Sequence, residues 1–172
     1  IDRTTLEYSP SDGYKFYREN LVKYYAKFDI NLSPNDIIVT AGGSEAVLYA
    51  FMACLNPGDE IIVSEPAYAN YMAFAVSAGA VIKTIPTSIE NGFSLPSFET
   101  LEGLITDKTK GLLICNPNNP TGYVYTADEM EKIRLLVKKY NLYLFSDEVY
   151  REFIYSDDPY ISACHLEGID DN

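Results

Sequence analysis

Positive charge is scarce in this 172-residue chain: 13 lysines and arginines stand against 25 acids, for a formal net charge of −12. Such a deficit excludes nucleic acid and anionic membrane as general partners, because their phosphates would be repelled. Any phosphate the chain does bind has to be held by local geometry. Cysteine is scarce as well. Cys54, Cys115 and Cys164 are odd in number and widely separated, which indicates neither a disulfide framework nor a CxxC metal site and makes a reducing cytoplasm the expected location. The single histidine, His165, cannot form a metal site alone. No run reaches the roughly 18 apolar residues of a membrane span, the first residues carry no signal-peptide pattern, and there is neither a solenoid repeat nor a low-complexity tract. What remains is an ordinary globular composition, 47% hydrophobic and 22% charged, long enough for one compact domain with a core of its own.

The hydrophobic pattern alternates between two periods. Short runs at Ile37 to Thr40, Ile61 to Ser64, Val81 to Ile85, Gly111 to Cys115 and Leu142 to Ser146 read as strands, several of them apolar at successive positions, as strands buried on both faces require. Between them, Ser44 to Leu55, Tyr68 to Ala78, Pro96 to Leu104 and Ala127 to Tyr140 have helical spacing, the last opened by Thr126 and Glu129 in capping-box register. Asn56-Pro57-Gly58-Asp59 is a helix stop. The fold class expected is α/β, a mostly parallel central sheet with helices on both faces. Ahead of it, Tyr14 to Phe28 reads as an amphipathic, tyrosine-rich helix, so the chain is expected to divide into an N-terminal helical segment, residues 1–30, and a partial ligand-binding domain, residues 31–172. The acidic stretch from Glu167 to Asn172 reads as a solvated end.

Three constellations carry chemistry. Thr40-Ala41-Gly42-Gly43-Ser44-Glu45-Ala46 sets two glycines and a serine at a strand-to-helix junction, where free N–H groups and the helix dipole would face an anion. The same residues suit a tight turn with Ser44 as N-cap, so the segment alone leaves both open. Asn116-Pro117-Asn118-Asn119-Pro120-Thr121-Gly122 is a stiff loop after a strand, and ligands of open α/β sheets bind at strand carboxyl ends. Finally, Leu144-Phe145-Ser146-Asp147-Glu148-Val149-Tyr150 puts an acid at the end of an apolar strand, where an ionised carboxylate needs a cationic or hydrogen-bonding partner. A magnesium ion and a protonated ring nitrogen compete for that role. The magnesium-nucleotide alternative is weak, because a P-loop requires GxxxxGK[ST] and Gly43 is followed by Ser44-Glu45 with no lysine nearby.

In this order, over about Tyr8 to Tyr150, the motifs resemble the class I and II aminotransferases of fold type I. The resemblance implies pyridoxal 5′-phosphate as cofactor, with Gly43 and Ser44 holding its phosphate, Tyr68 of Glu65-Pro66-Ala67-Tyr68 stacked on the ring, and Asn119 and Tyr150 bonded to the phenolic oxygen. Asp147 would pair with the ring nitrogen, and a carboxylate there keeps the ring protonated and electron-withdrawing. On this resemblance Asp147 and Tyr150 are the residues that carry the chemistry. Tyr8 resembles the family's tyrosine that reaches the phosphate of a partner subunit, which implies a homodimer, though a plain surface tyrosine would look the same. For Tyr68 the alternative is a helix-start aromatic packed in the core.

The implied reaction moves an amino group between an amino acid and a 2-oxo acid. Other reactions on the same cofactor frame, C–S lysis or decarboxylation, stay open, as does a non-catalytic binding or dimerisation module. One departure from the family pattern stands out. The lysine that holds the cofactor covalently follows the Asp-x-x-Tyr motif in the family, and no lysine occurs between Asp147 and Asn172. With an opening residue, Ile1, that is not methionine, the chain reads as a piece of a longer protein, expected to be inactive alone.

Overall fold

The computed structural model describes residues 8–155 and 159–169. It divides into two compact units, residues 1–46 and 47–172, and the division falls inside a helix.

In the first unit, helix α1 spans Lys15–Tyr25 and tightens into a 3₁₀ turn over Ala26–Phe28, closed by Asp29 in the left-handed region at φ 58°. Arg18 organises this unit from a buried position. Its guanidinium reaches the Asp12 carboxylate at 2.6 Å and donates to the carbonyls of Pro34 at 2.6 Å and Gly13 at 3.3 Å. The strand expected over Ile37 to Thr40 does not form. The segment belongs to none of the sheet's four strands; the Val39 N–H meets the Asp12 carbonyl, at 3.1 Å, and Ile38 is exposed. Its β-branched residues favour extended backbone, but a strand exists only by pairing, and among the described residues none pairs with it.

The second unit contains the sheet, four parallel strands in the order β2-β1-β3-β4. The strands are β1 Glu60–Glu65, β2 Val81–Pro86, β3 Thr109–Cys115 and β4 Tyr143–Asp147. Each run predicted in this unit therefore becomes a strand, within a residue or two at its ends. The helices are α2 Gly43–Cys54, which begins in the first unit, α3 Asn70–Ser77, α4 Phe98–Glu102 and α5 Ala127–Tyr140. Successive strand side chains point to opposite faces, and the core divides accordingly. Ile62, Leu112 and Ile114 pack with Leu101 of α4 and Met130, Ile133, Leu136 and Val137 of α5. Ile61, Val63, Leu113 and Cys115 pack with Phe51 of α2 and Tyr71 and Ala75 of α3. Helices cover both faces, the α/β arrangement expected.

Helix α5 forms as its sequence predicts. Thr126 accepts from the Glu129 N–H, Glu129 reaches back to the Thr126 N–H, and Asn141 ends the helix at φ 50°. Helix α3 starts later than expected, leaving Tyr68 in the turn before it, with the Tyr71 N–H bonded to the Tyr68 carbonyl at 3.0 Å. Helix α4 is shorter than expected, opened by Ser97, which accepts from the Thr100 N–H.

Gly111 lies where β3 crosses beneath an aromatic ring. A Cβ there would stand 2.8 Å from Phe145 Cε2 and 3.4 Å from Ile61 Cγ1, and Phe145 is itself braced edge-on against Phe51, centroids 5.1 Å apart. Gly111→Ala should therefore cost about 1–3 kcal/mol of stability, read as a lower urea midpoint at unchanged slope.

Candidate functional site

All four strands run the same way, so Glu65, Pro86, Cys115 and Asp147 end on one edge of the sheet. Two expected site residues, Tyr68 and Asn119, follow β1 and β3 on this edge; Asp147 ends β4, and Tyr150 follows it. Gly43, Ser44 and Tyr8 belong to the first unit.

Asp147 sits opposite Cys115 in the parallel ladder, and its carbonyl accepts from the Asn116 N–H at 2.9 Å. Its half-buried carboxylate is held at both oxygens: Oδ2 accepts from the Tyr71 hydroxyl at 2.7 Å and Oδ1 from the Val149 N–H at 3.2 Å. Tyr71 is fully buried. Burial, with the Asp147 bond second, pushes its phenol far above the usual tyrosine range, so it stays a neutral donor. The Cys115 thiol is likewise raised by burial and donates to the Pro117 carbonyl at 3.2 Å. Among the described residues no cation pairs with Asp147, and no cluster of three His, Cys, Asp or Glu side chains could hold a metal. An oriented carboxylate with neutral neighbours fits a cationic ring nitrogen.

The loop after β3 sorts its asparagines. Asn116 is fully buried, its amide accepting from the Tyr125 N–H and donating to the Ile161 carbonyl, each at 3.2 Å. Asn118 donates to Thr121 Oγ1 at 2.9 Å and to the Pro66 carbonyl at 3.1 Å, joining this loop to the one after β1. Among the described residues the half-exposed Asn119 amide has no such partner, nor has the hydroxyl of Tyr150, whose ring stands edge-on to Phe153. The Tyr68 ring packs edge-on to Tyr71, centroids 5.4 Å apart, against the core, while its hydroxyl accepts from Asn70 Nδ2 at 2.6 Å.

In the first unit, α2 begins at Gly43, so Ser44 is inside the first turn and is not the N-cap; Gly42 instead offers its carbonyl to the N–H groups of Glu45 and Ala46 at 3.1 and 3.2 Å. The Gly43 and Ser44 N–H groups have no acceptor among the described residues, as first-turn donors do, and a Cβ added at Gly42 or Gly43 would meet open space. Tyr8 is fully exposed.

Two contributors escaped the sequence reading. Tyr71 had a legible signal, since it lies one helical step from Tyr68 and the strand period turns Asp147 toward the Phe145 face, which α3 covers. Glu148 had none. Its carboxylate collects Ser162 Oγ at 2.8 Å, the Ala163 N–H at 2.8 Å, Ser146 Oγ at 2.9 Å and Arg151 at 3.3 Å, partners separated from it by as many as 15 residues of chain. Tyr160, its phenol raised by burial and by Glu148, closes the arrangement by donating to the Asn116 carbonyl at 3.1 Å. Because Glu148 and Arg151 are both largely buried, Glu148→Ala should cost about 3 kcal/mol, measured by chemical denaturation, whereas Ser162→Ala should cost about 1 kcal/mol.

The family model for aminotransferase class I and II matches residues 1–171. An aspartate aminotransferase of Thermotoga maritima is 38% identical over 159 residues, 92% of this chain and 42% of that protein. An aspartate/prephenate aminotransferase of Thermus thermophilus is 37% identical over 150 residues, 87% of this chain and 39% of that one. The crystal structure of the Thermotoga maritima aspartate aminotransferase superposes with TM-score 0.89 at 37% identity, over 95% of this chain and 43% of that chain. An aromatic aminotransferase from Pyrococcus horikoshii gives TM-score 0.89 at 34% identity, over 95% and 44%. The chain thus spans about two fifths of the length of the relatives it matches. It belongs to the class I and II aminotransferase family.

Proposed function

We propose that this chain carries part of the cofactor site of a pyridoxal-phosphate-dependent aminotransferase, which moves an amino group between an amino acid and a 2-oxo acid. The observation that carries this reading is the Asp147 carboxylate, fixed at both oxygens by neutral donors at the carboxyl edge of a parallel sheet. Aspartate is the donor we favour, because several relatives of the chain are named for it. A cytoplasmic homodimer is part of the same reading. It is supported by the exposed Tyr8 and is compatible with a chain in which no described helix is long and apolar enough to cross a membrane.

Pyridoxal 5′-phosphate, when bound, supplies an electron sink for the negative charge that develops at the substrate's α-carbon. Each residue's task follows from its chemistry. Asp147 holds a proton on the ring nitrogen. The Asn119 amide and the Tyr150 hydroxyl, neither of them bonded among the described residues, are donors for the phenolic oxygen. Tyr68 covers a face of the ring. The open N–H groups of Gly43 and Ser44 suit a phosphate, because the first turn of a helix gathers donors and positive potential. Tyr8 is available to the phosphate of a second subunit.

Pyridoxamine 5′-phosphate is the probe of choice, since it binds without a lysine. By calorimetry the chain should bind it, and should bind phosphate-free pyridoxamine more weakly. Asp147→Asn should weaken pyridoxamine phosphate about 10- to 100-fold, the worth of a hydrogen bond to a charged group. A chain that takes up no pyridoxamine phosphate, or an Asp147→Asn variant that binds as well as the parent, would overturn the reading. In the full-length protein, aspartate and a 2-oxo acid should yield oxaloacetate and a new amino acid; release of ammonia or carbon dioxide instead would mean a different reaction.

A further inference from the structure

Tyr71 has no place in the roles above, yet it makes the shortest contact to the acid at their centre. Its ring is buried against Ala75, Phe51 and Cys115 in the α3 side of the core, and its hydroxyl is 2.7 Å from Asp147 Oδ2. A phenol so buried is costly unless its O–H is bonded, and this one spends that bond on a carboxylate 76 residues away. With the Val149 N–H on the other oxygen, the Tyr71 hydroxyl stops rotation of the carboxylate about its Cβ–Cγ bond. A neighbouring Cys115 thiol, kept neutral by burial, does not compete for the role of anion.

We propose that Tyr71 is a positioning residue that acts through Asp147 to keep the bound cofactor's ring nitrogen protonated; the inference rests on the cofactor reading above. A carboxylate stabilises a protonated ring nitrogen by lying in line with its N–H, so the effect depends on how firmly the carboxylate is aimed. Donation from Tyr71 fixes that aim. Removing the hydroxyl lets the carboxylate swing off the nitrogen, which leaves the ring less protonated.

The test is the ring ¹⁵N resonance of ¹⁵N-labelled pyridoxamine 5′-phosphate bound to the chain, to Asp147→Asn and to Tyr71→Phe. Phenylalanine keeps the packed ring, and Asp147, half-buried, can take a water in place of the lost donor; circular dichroism checks that the variant is folded. In the parent the resonance should lie at the protonated position, and in Asp147→Asn at the neutral one. Tyr71→Phe should displace it toward the neutral position and weaken binding about fivefold. A folded Tyr71→Phe chain whose resonance matches the parent's would overturn the positioning role while leaving the cofactor reading intact. A parent chain with no protonated ring signal would overturn both.

Discussion

An ionised carboxylate cannot end an apolar strand without company, and the hydrogen bond from Tyr71 to Asp147 is the contact around which the rest of this edge is arranged. The bond requires β4 beside β3 in the register that sets Asp147 across from Cys115, and it requires α3 on the face that Phe145 and Cys115 share. The strand period turns Asp147 and Phe145 to one side and Ser146 and Glu148 to the other. On one side the acid meets a buried phenol; on the other, Glu148 meets two serines and an arginine. Tyr68 packs edge-on to the ring that donates to Asp147, so the residue read as the cofactor's stacking partner and the acid read as its nitrogen's partner share one aromatic support.

The loop from Asn116 to Gly122 shows how a rigid segment can leave a single group available. Burying an amide is tolerable only when its donors and acceptor are satisfied. Asn116 satisfies its own through Tyr125 and Ile161, and Asn118 through Thr121 and Pro66. These bonds tie the loop to the segment after β1 and to Ile161, which leaves Asn119 half-exposed and, among the described residues, uncommitted on a support that has little freedom to move. A donor held this way loses little entropy when it meets a ligand.

Much of this was legible in the sequence because it is local. The capping box of Thr126 and Glu129 is read from two residues and is present as read, and the apolar runs of the second unit become strands because each has a neighbour to pair with. Ile37 to Thr40 has the same composition and forms no strand, since pairing is a long-range property that β-branched side chains invite but do not supply. The start of α3 was misplaced for a related reason: Tyr68 fits the helical period, yet its ring is drawn against Tyr71 in the turn before the helix. Of the residues missed, Tyr71 was within reach of the period argument once Asp147 had been singled out. Glu148 was not, because nothing near it in the chain announces that Ser162 and Ala163 return to meet it.

Among the described residues β4 pairs on one side only, so the position of its last residue cannot rest on a second strand. It rests on bonds that fix the chain on either side of Asp147: the Asn116 N–H to its carbonyl, the Val149 N–H to its Oδ1 and the Glu148 carboxylate to residues 162 and 163. Each is worth about 1 kcal/mol as a neutral bond and more where a charge takes part. Their directions differ, so together they fix an orientation that no single one would hold. All but the Tyr71 contact come from the end of β3, from β4 and from the segment that follows it. The place of the acid is therefore a property of this stretch of chain, Tyr71 fixes the rotation of its carboxylate from outside it, and a ligand arriving at the edge finds the carboxylate already aimed.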